Sequence, residues 1–323
     1  MRLFAIFVVA CSLFLTATVY AADKIISPLP DDLDLPRLVA DYHPIVTFGD
    51  LLHAIPDTEG TITASPAATI IEVATPSPTF APTLSPTPTP TPEETVIRAT
   101  KKRSYTISLV GDSMVDTLGP VGGGLAARLN AIYPNTTFTV INHGVGAENI
   151  DSGLRRLTNG YSYLGIGRNS VVSEKPDIVV IESFGYNPYP LPDLSDALTT
   201  HWLRLASMVD TIKRELPDAK IVLAATIAPN SDVFGDGAPG ISFSPEGKRT
   251  KTAEIKQYIE NLIAFAKSQG LPLADAYHPS MDANENGKIG YINPGDHIHY
   301  SDSGRSLFAQ MVANTIIAKR LLE

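Results

Sequence analysis

Beyond residue 100 the chain alternates between short, continuously apolar runs and longer amphipathic ones. The first kind comprises Tyr105 to Val110, Thr137 to Asn142, Asp177 to Ile181 and Lys220 to Ala225. Strands that are apolar throughout, rather than at every second residue, are covered on both faces, as parallel sheets require. A shorter run at Leu271 to Ala274 predicts a fifth strand. Between them lie helical patterns. The clearest runs from Lys251 to Gln269, where Ile255, Tyr258, Ile259, Leu262, Ile263 and Ala266 share a face and Gly270 with Pro272 stops the helix. Another is expected from Asp302 to Leu322, capped by Ser301, with Leu307, Met311, Val312, Thr315 and Ile316 on one stripe. Strand and helix alternating in this way predict one doubly wound α/β domain over residues 101–323.

The first hundred residues follow other patterns. Residues 1–22 are almost uninterruptedly apolar, with Arg2 the only charge and small residues at Ala21 and Ala22, the layout of a cleaved signal peptide. Leu3 to Ala22 is also just long enough for an uncleaved membrane anchor. Residues 23–73 carry scattered apolar positions without a sustained period. Residues 74–100 form a Pro/Thr-rich linker, with seven prolines and six threonines between Ala74 and Pro92. Such a tract cannot build a core and is expected to be an extended, semi-rigid spacer.

Composition narrows the function classes. A formal net charge of −9 and a pI near 5.3 over 323 residues argue against a nucleic-acid partner and against docking on an anionic membrane through basic patches. The single cysteine, Cys11, lies within the apolar leader. Val8-Val9-Ala10-Cys11 has some likeness to a lipoprotein box, but the apolar stretches around it have the wrong lengths. A mature chain cut after that leader has no thiol for disulfides, nucleophilic catalysis or metal binding. The expected location is secreted or cell-envelope associated, in a bacterium.

Chemistry gathers where strands end. After the first strand, Gly111-Asp112-Ser113 puts a serine at a break between strand and helix. Glycine, aspartate and serine also form ordinary turns, so this segment alone decides nothing. A nucleophilic serine needs a base, a group to hold that base, and donors for the oxyanion. Asp296 stands three residues before His299 in a loop, from where its carboxylate can reach the imidazole Nδ1 and leave Nε2 free. Asn142 to Asn149 (NHGVGAEN) is a glycine-containing loop able to present a backbone N–H, and Glu182 to Pro188 (ESFGYNP) brings Asn187 to the end of the third strand.

In this order, these segments resemble the GDSL or SGNH hydrolase family. The first block matches Gly111 to Ser113, the second Asn142, Gly144, Val145 and Gly146, the third Gly185 and Asn187, and the last Asp296 and His299. Two departures stand out: Ala147 where the family has its oxyanion glycine, and Pro188 where it often has aspartate. The resemblance covers about Ser104 to Glu323. It implies a three-layer, flavodoxin-like sheet and a serine esterase with Ser113 as nucleophile, His299 as base and Asp296 as its orienting partner. The oxyanion donors it implies are the N–H groups of Ser113 and Ala147 and the side chain of Asn187, with Gly146 the alternative to Ala147 after a one-residue shift. No cofactor and no metal are implied. The expected substrate is an acyl or acetyl ester, possible sources being an extracellular polysaccharide, a lipid or an envelope polymer.

Other readings are weaker. An α/β-hydrolase needs a G-x-S-x-G elbow, which the chain lacks. Asp282 to Gly287 (DANENG) repeats the first half of a calcium loop, but Asn293 stands where the bidentate glutamate belongs. A non-catalytic cell-surface or carbohydrate-binding module on the same scaffold is the competing function class, and retention of all four polar site residues argues against it. Tyr161, Tyr163, Tyr186 and Tyr189 are candidates for substrate packing, on stretches 161–168 and 188–196 expected to wall the pocket. Oligomeric state is not readable from the chain.

Overall fold

A computed structural model describes residues 97–323. In chain order its strands are β1 (Ser104–Gly111), β2 (Thr137–Gly144), β3 (Tyr161–Tyr163), β4 (Ile166–Arg168), β5 (Ile178–Glu182), β6 (Lys220–Ala225) and β7 (Leu273–Asp275). Its α-helices are α1 (Ser113–Asp116), α2 (Leu125–Ile132), α3 (Ile150–Thr158), α4 (Leu194–Glu215), α5 (Pro245–Ser268), α6 (Tyr277–Ser280) and α7 (Asp302–Ala318). Five strands form one parallel sheet in the order β2-β1-β5-β6-β7, and β3 and β4 make a separate antiparallel hairpin. The central strand β5 is buried at every residue, as its unbroken apolar run requires. Helices α2 and α7 pack together in one layer, and α3, α4 and α5 in the other. This is the doubly wound α/β class expected from the alternation, with the strand order in which a crevice opens where the winding reverses beside β1.

The differences from the sequence reading lie at helix ends. Helix α5 begins at Pro245, not Lys251: the Ser244 side chain accepts from the Gly247 N–H and proline occupies the first turn. The extra turn carries no apolar stripe. It is held instead by the Lys248 ammonium, nearly buried and paired with Asp236 at 2.6 Å. Helix α7 is capped by Ser301 as expected but stops at Ala318. There Arg320 turns left-handed (φ 53°), and the Leu321 and Arg320 N–H groups return to the Ile316 and Ile317 carbonyls, a Schellman ending. Leu322 is thereby tucked into the core, where its carbonyl accepts from Tyr105 Oη at 2.8 Å.

Residues 188–196 are not simply a pocket wall, because Leu194 opens the 22-residue helix α4, capped by Asp193. Trp202 of α4 meets Phe265 of α5 edge to face at 5.1 Å, joining the two helices in their layer. Arg98 extends the domain to the first described residues, its N–H bonded to the Ile132 carbonyl and its guanidinium to Glu323. The leader, the segment 23–73 and the linker up to residue 96 lie outside the described residues. Among the described residues no helix is long and apolar enough to cross a membrane.

Candidate active site

Parallel register brings the motif segments side by side at the carboxyl end of the sheet. Gly111 pairs with Gly144 and Val110 with both His143 and Ile181, so the first three blocks leave neighbouring strands at one level. Gly111 cannot be larger, since a Cβ there would lie 2.3 Å from Val115 Cγ2 and 2.9 Å from Glu182 Cβ. Gly144 is equally constrained: its Cβ would stand 2.1 Å from the Asp116 nitrogen. Those two glycines let the turn that carries Ser113 sit directly on the ends of β1 and β2.

Ser113 is the first residue of α1, and Asp112 caps that helix by accepting from the Met114 N–H at 2.8 Å. Asn142 fastens the turn from below. Its amide donates to the carbonyls of Val115 at 2.8 Å and Gly119 at 2.9 Å, while its oxygen accepts from the Gly144 N–H.

The loop after β2 separates the two possible oxyanion donors. The Gly146 N–H donates to Tyr163 Oη at 3.1 Å, and that hydroxyl donates in turn to Asp116 Oδ2 at 2.8 Å. The Ala147 N–H has no hydrogen-bond partner among the described residues. Ala147 itself is exposed and left-handed, with φ 58°. That conformation explains why a glycine would be at ease here.

Asn187 comes from the turn after β5. Its Nδ2 donates to Asp112 Oδ2 at 3.0 Å, which leaves the second amide hydrogen for a ligand. The turn is shaped by Phe184, left-handed at φ 53° and buried over Gly153, where a Cβ would come within 2.3 Å of its ring. In the loop before α7, His299 Nδ1 lies 2.9 Å from Asp296 Oδ2. Asp296 Oδ1 also accepts from the N–H groups of Ile298 and His299, at 2.9 and 3.0 Å. Burial works against the Asp296 charge, but the imidazole and these N–H groups outweigh it and hold the carboxyl below its usual range. Among the influences that favour the Asp112 carboxylate against its burial are the Asn187 amide, the Met114 N–H and, through its field, His299. His297, left-handed at φ 50°, reaches away to the Asp236 carbonyl at 2.7 Å and joins this loop to the one after β6.

Beneath the turn that carries Ser113 lies a feature the motif reading did not contain. Asp112 and Glu182 are both fully buried. Burial pushes both carboxyls up, and for Glu182, the further displaced, the charge of Asp112 adds to the effect. Glu182 accepts from Ser183 Oγ at 2.5 Å and from the Phe184 N–H at 2.8 Å. Arg156 of α3, also buried, donates to the Gly111 carbonyl at 2.8 Å and favours the Asp112 charge. A charged residue closing an otherwise apolar strand was the available signal for Glu182. Arg156 had none, since it reaches the site from a separate element, and Tyr163, expected to pack on substrate, instead bonds the Gly146 N–H and Asp116.

The tyrosines divide. Tyr186 and Tyr189 belong to the core rather than to a substrate wall: Tyr186 Oη donates to the Ile227 carbonyl, and the Tyr189 N–H to Tyr258 Oη. Tyr163 secures the loop after β2, and Tyr161 lines a cavity beside that loop. The Asp282 loop closes on itself, with Asp282 Oδ1 accepting from the N–H groups of Asn284 and Asn286. Among the described residues no three His, Cys, Asp or Glu side chains are grouped as a metal site.

A model of the GDSL-like lipase/acylhydrolase family matches residues 109–307. No curated protein sequence matches the chain. Among solved structures, the lipase/acylhydrolase from Enterococcus faecalis is similar, with 21% identity over 67% of this chain and 96% of that one and a TM-score of 0.47. A GDSL-like lipase from Bacteroides thetaiotaomicron has 15% identity over 67% and 89%, with a TM-score of 0.46. An acetylxylan esterase from Geobacillus stearothermophilus has 18% identity over 66% and 94%, with a TM-score of 0.42.

Proposed function

The chain belongs to the GDSL-like lipase/acylhydrolase family and is a carboxylic ester hydrolase; from that premise we propose a serine mechanism run by Ser113, His299 and Asp296. Ser113 Oγ attacks the ester carbonyl carbon while His299 Nε2 takes its proton. The tetrahedral intermediate collapses as His299 returns that proton to the leaving alcohol, and water then releases the acid by the same steps in reverse order. Asp296 holds the imidazole with Nδ1 protonated and stabilises the imidazolium that forms. The oxyanion is met by the N–H groups of Ser113 and Ala147 and by the Asn187 amide. The observation that carries this reading is the 2.9 Å contact of His299 Nδ1 with Asp296, together with the bond of Asn187 to Asp112, the residue before Ser113.

Gly146 is set aside as the donor because its N–H is already committed to Tyr163. The substrate is an acetyl or short acyl ester of a carbohydrate, lipid or envelope polymer met outside the cytoplasm. Support for export comes from the apolar leader and the Pro/Thr-rich linker, and support for an acetylated carbohydrate from the acetylxylan esterase among the similar structures.

The test is hydrolysis of p-nitrophenyl acetate and p-nitrophenyl octanoate by the purified protein and by folded Ser113→Ala and His299→Ala variants. Activity should be lost in both variants and favour the acetate. Hydrolysis indifferent to Ser113 would overturn the mechanism, and preference for octanoate would overturn the acyl-chain assignment.

A further inference from the structure

Beside the loop that carries Ala147 lies a cavity of about 290 Å³ whose lining includes Val145, Glu148, Arg155, Arg156 and Tyr161. Its unusual component is Arg156. The side chain is only 3% exposed, donates to Ser152 Oγ at 2.5 Å and to the Gly111 carbonyl at 2.8 Å, and keeps a buried Nε with no acceptor. A buried guanidinium ordinarily has a carboxylate against it. Here Glu148 and Asp112 act on Arg156 only through their fields, and neither makes an ion pair with it. The neighbouring Arg155 opposes the Arg156 charge and forms no ion pair among the described residues. Two guanidiniums repelling each other across one cavity are a receptor for negative charge.

Hydrogen bonds hold one wall of the cavity in place. His143, buried, has Nε2 2.9 Å from Glu174 Oε2, and burial holds its pKa down, so the ring is neutral with its proton on Nε2. Nδ1 then accepts from Tyr161 Oη at 3.1 Å. Tyr161, fixed in this way, lies under the Arg156 guanidinium, 5.7 Å from ring centre to Cζ. With Glu148 on the same wall, the cavity carries two positive side chains and one negative. That excess of one positive charge suits a monoanion better than a dianion.

We propose that this cavity is a subsite for a carboxylate borne by the substrate, so that the preferred ester is an acidic one. The inference rests on Ser113 and the Ala147 loop being the reacting centre. The carboxylate could sit on the acyl half, as in a dicarboxylic acid monoester, or on the alcohol half, as in an acetylated uronate.

Two substrate pairs separate these sources: p-nitrophenyl hemisuccinate against p-nitrophenyl butyrate, and the O-acetyl methyl glycoside of glucuronate against that of glucose. In one pair the acidic member should have the higher kcat/KM by about tenfold, carried mainly in KM, the scale of one charge-assisted contact. In Arg155→Gln, a substitution on the exposed face of α3, that ratio should fall to about one. The ratio within a pair cancels any general effect of the variant on turnover. No acidic preference in either pair, or a preference that survives Arg155→Gln, would overturn the subsite. Failure to hydrolyse p-nitrophenyl acetate at all would instead overturn the esterase mechanism on which it rests.

Discussion

Tyr163→Phe isolates one oxygen atom that joins the helix carrying Ser113 to the loop carrying Ala147, the proposed nucleophile and oxyanion donor. The hydroxyl accepts from the Gly146 N–H at 3.1 Å and donates to Asp116 Oδ2 at 2.8 Å, and Phe keeps the ring while removing both bonds. The Gly146 N–H is half-buried, so water can replace part of its loss, at about 1 kcal/mol. The bond to the Asp116 carboxylate is charge-assisted and contributes about 1.5 to 3 kcal/mol, less where solvent reaches it. A fall in stability of about 2 kcal/mol is therefore expected. The catalytic effect is bounded from above by complete loss of one oxyanion donor, about 100- to 1000-fold in rate. A loop that keeps its glycine packing but loses its clamp should lose part of that, so kcat should fall about 10- to 100-fold. KM should change little, because in the proposed mechanism the Ala147 N–H acts on the charge that develops after binding. The assay is steady-state hydrolysis of p-nitrophenyl acetate beside thermal melts of both proteins. A lowered melting temperature with unchanged kcat would refute the argument, leaving Tyr163 as packing alone.

Ala147→Gly should relieve a left-handed alanine, worth about 1 to 2 kcal/mol, against an unfolded-state penalty of about 0.5 to 1 kcal/mol; because the N–H is retained, kcat should stay within about threefold. Kinetics and denaturant melts check it, and a hundredfold loss of kcat would show that the methyl group rather than the N–H matters. His201, buried with Nε2 2.8 Å from the Ser183 carbonyl, has its pKa held down at about 4 by burial. The unfolded chain therefore binds the proton more readily, and this contribution to stability is present above about pH 6.5 and lost on acidification toward pH 4. Relative to His201→Gln, the wild type should lose about 3 kcal/mol between pH 7 and pH 4 in urea melts; a constant difference would sink the assignment. Glu182 has the opposite sign, since a carboxyl raised by burial binds its proton more tightly when folded, so its stability contribution declines as pH rises above the ordinary glutamate value. Glu182→Gln should flatten that decline in melts taken from pH 5 to 9, and an unaltered slope would exclude Glu182 as its source.

The sheet was legible because parallel strands covered on both faces have to be apolar throughout, and all five do run near the expected positions. Helix α4 was less so. Leu198, Trp202, Leu205, Val209 and Ile212 have helical spacing and are buried, but the Tyr- and Pro-rich stretch before Leu194 suggested a loop running into it. The start of α5 was hidden for a different reason: a turn held by a serine cap and a Lys248–Asp236 pair has no apolar period to detect. Tyr186 and Tyr189 were misjudged because a tyrosine bears a polar tip whether it faces a ligand or, as here, a core partner such as the Ile227 carbonyl.

The motif residues of the candidate site could be read because each occupies a fixed offset within one turn, as Asp296 does from His299. What supports them could not, because it is assembled across the fold. Gly111 receives Arg156 from 45 residues away, and Asp112 receives Asn187 from 75. These contacts answer a problem the motif itself creates. Asp112 is buried beside Ser113, the proposed nucleophile, and its own burial favours the neutral acid. Asn187, the Met114 N–H and Arg156 pull toward the charged form, and the Asp112 charge in turn pushes Glu182 beneath it toward the neutral acid. The carboxyl is thus used less as a charge than as an acceptor whose two oxygens fix the Met114 N–H and the Asn187 amide. The first bond fixes the turn that carries Ser113, and the second holds the Asn187 amide beside it. The buried aspartate thereby couples two of the three proposed oxyanion donors, leaving the third, Ala147, to the separate clamp of Tyr163.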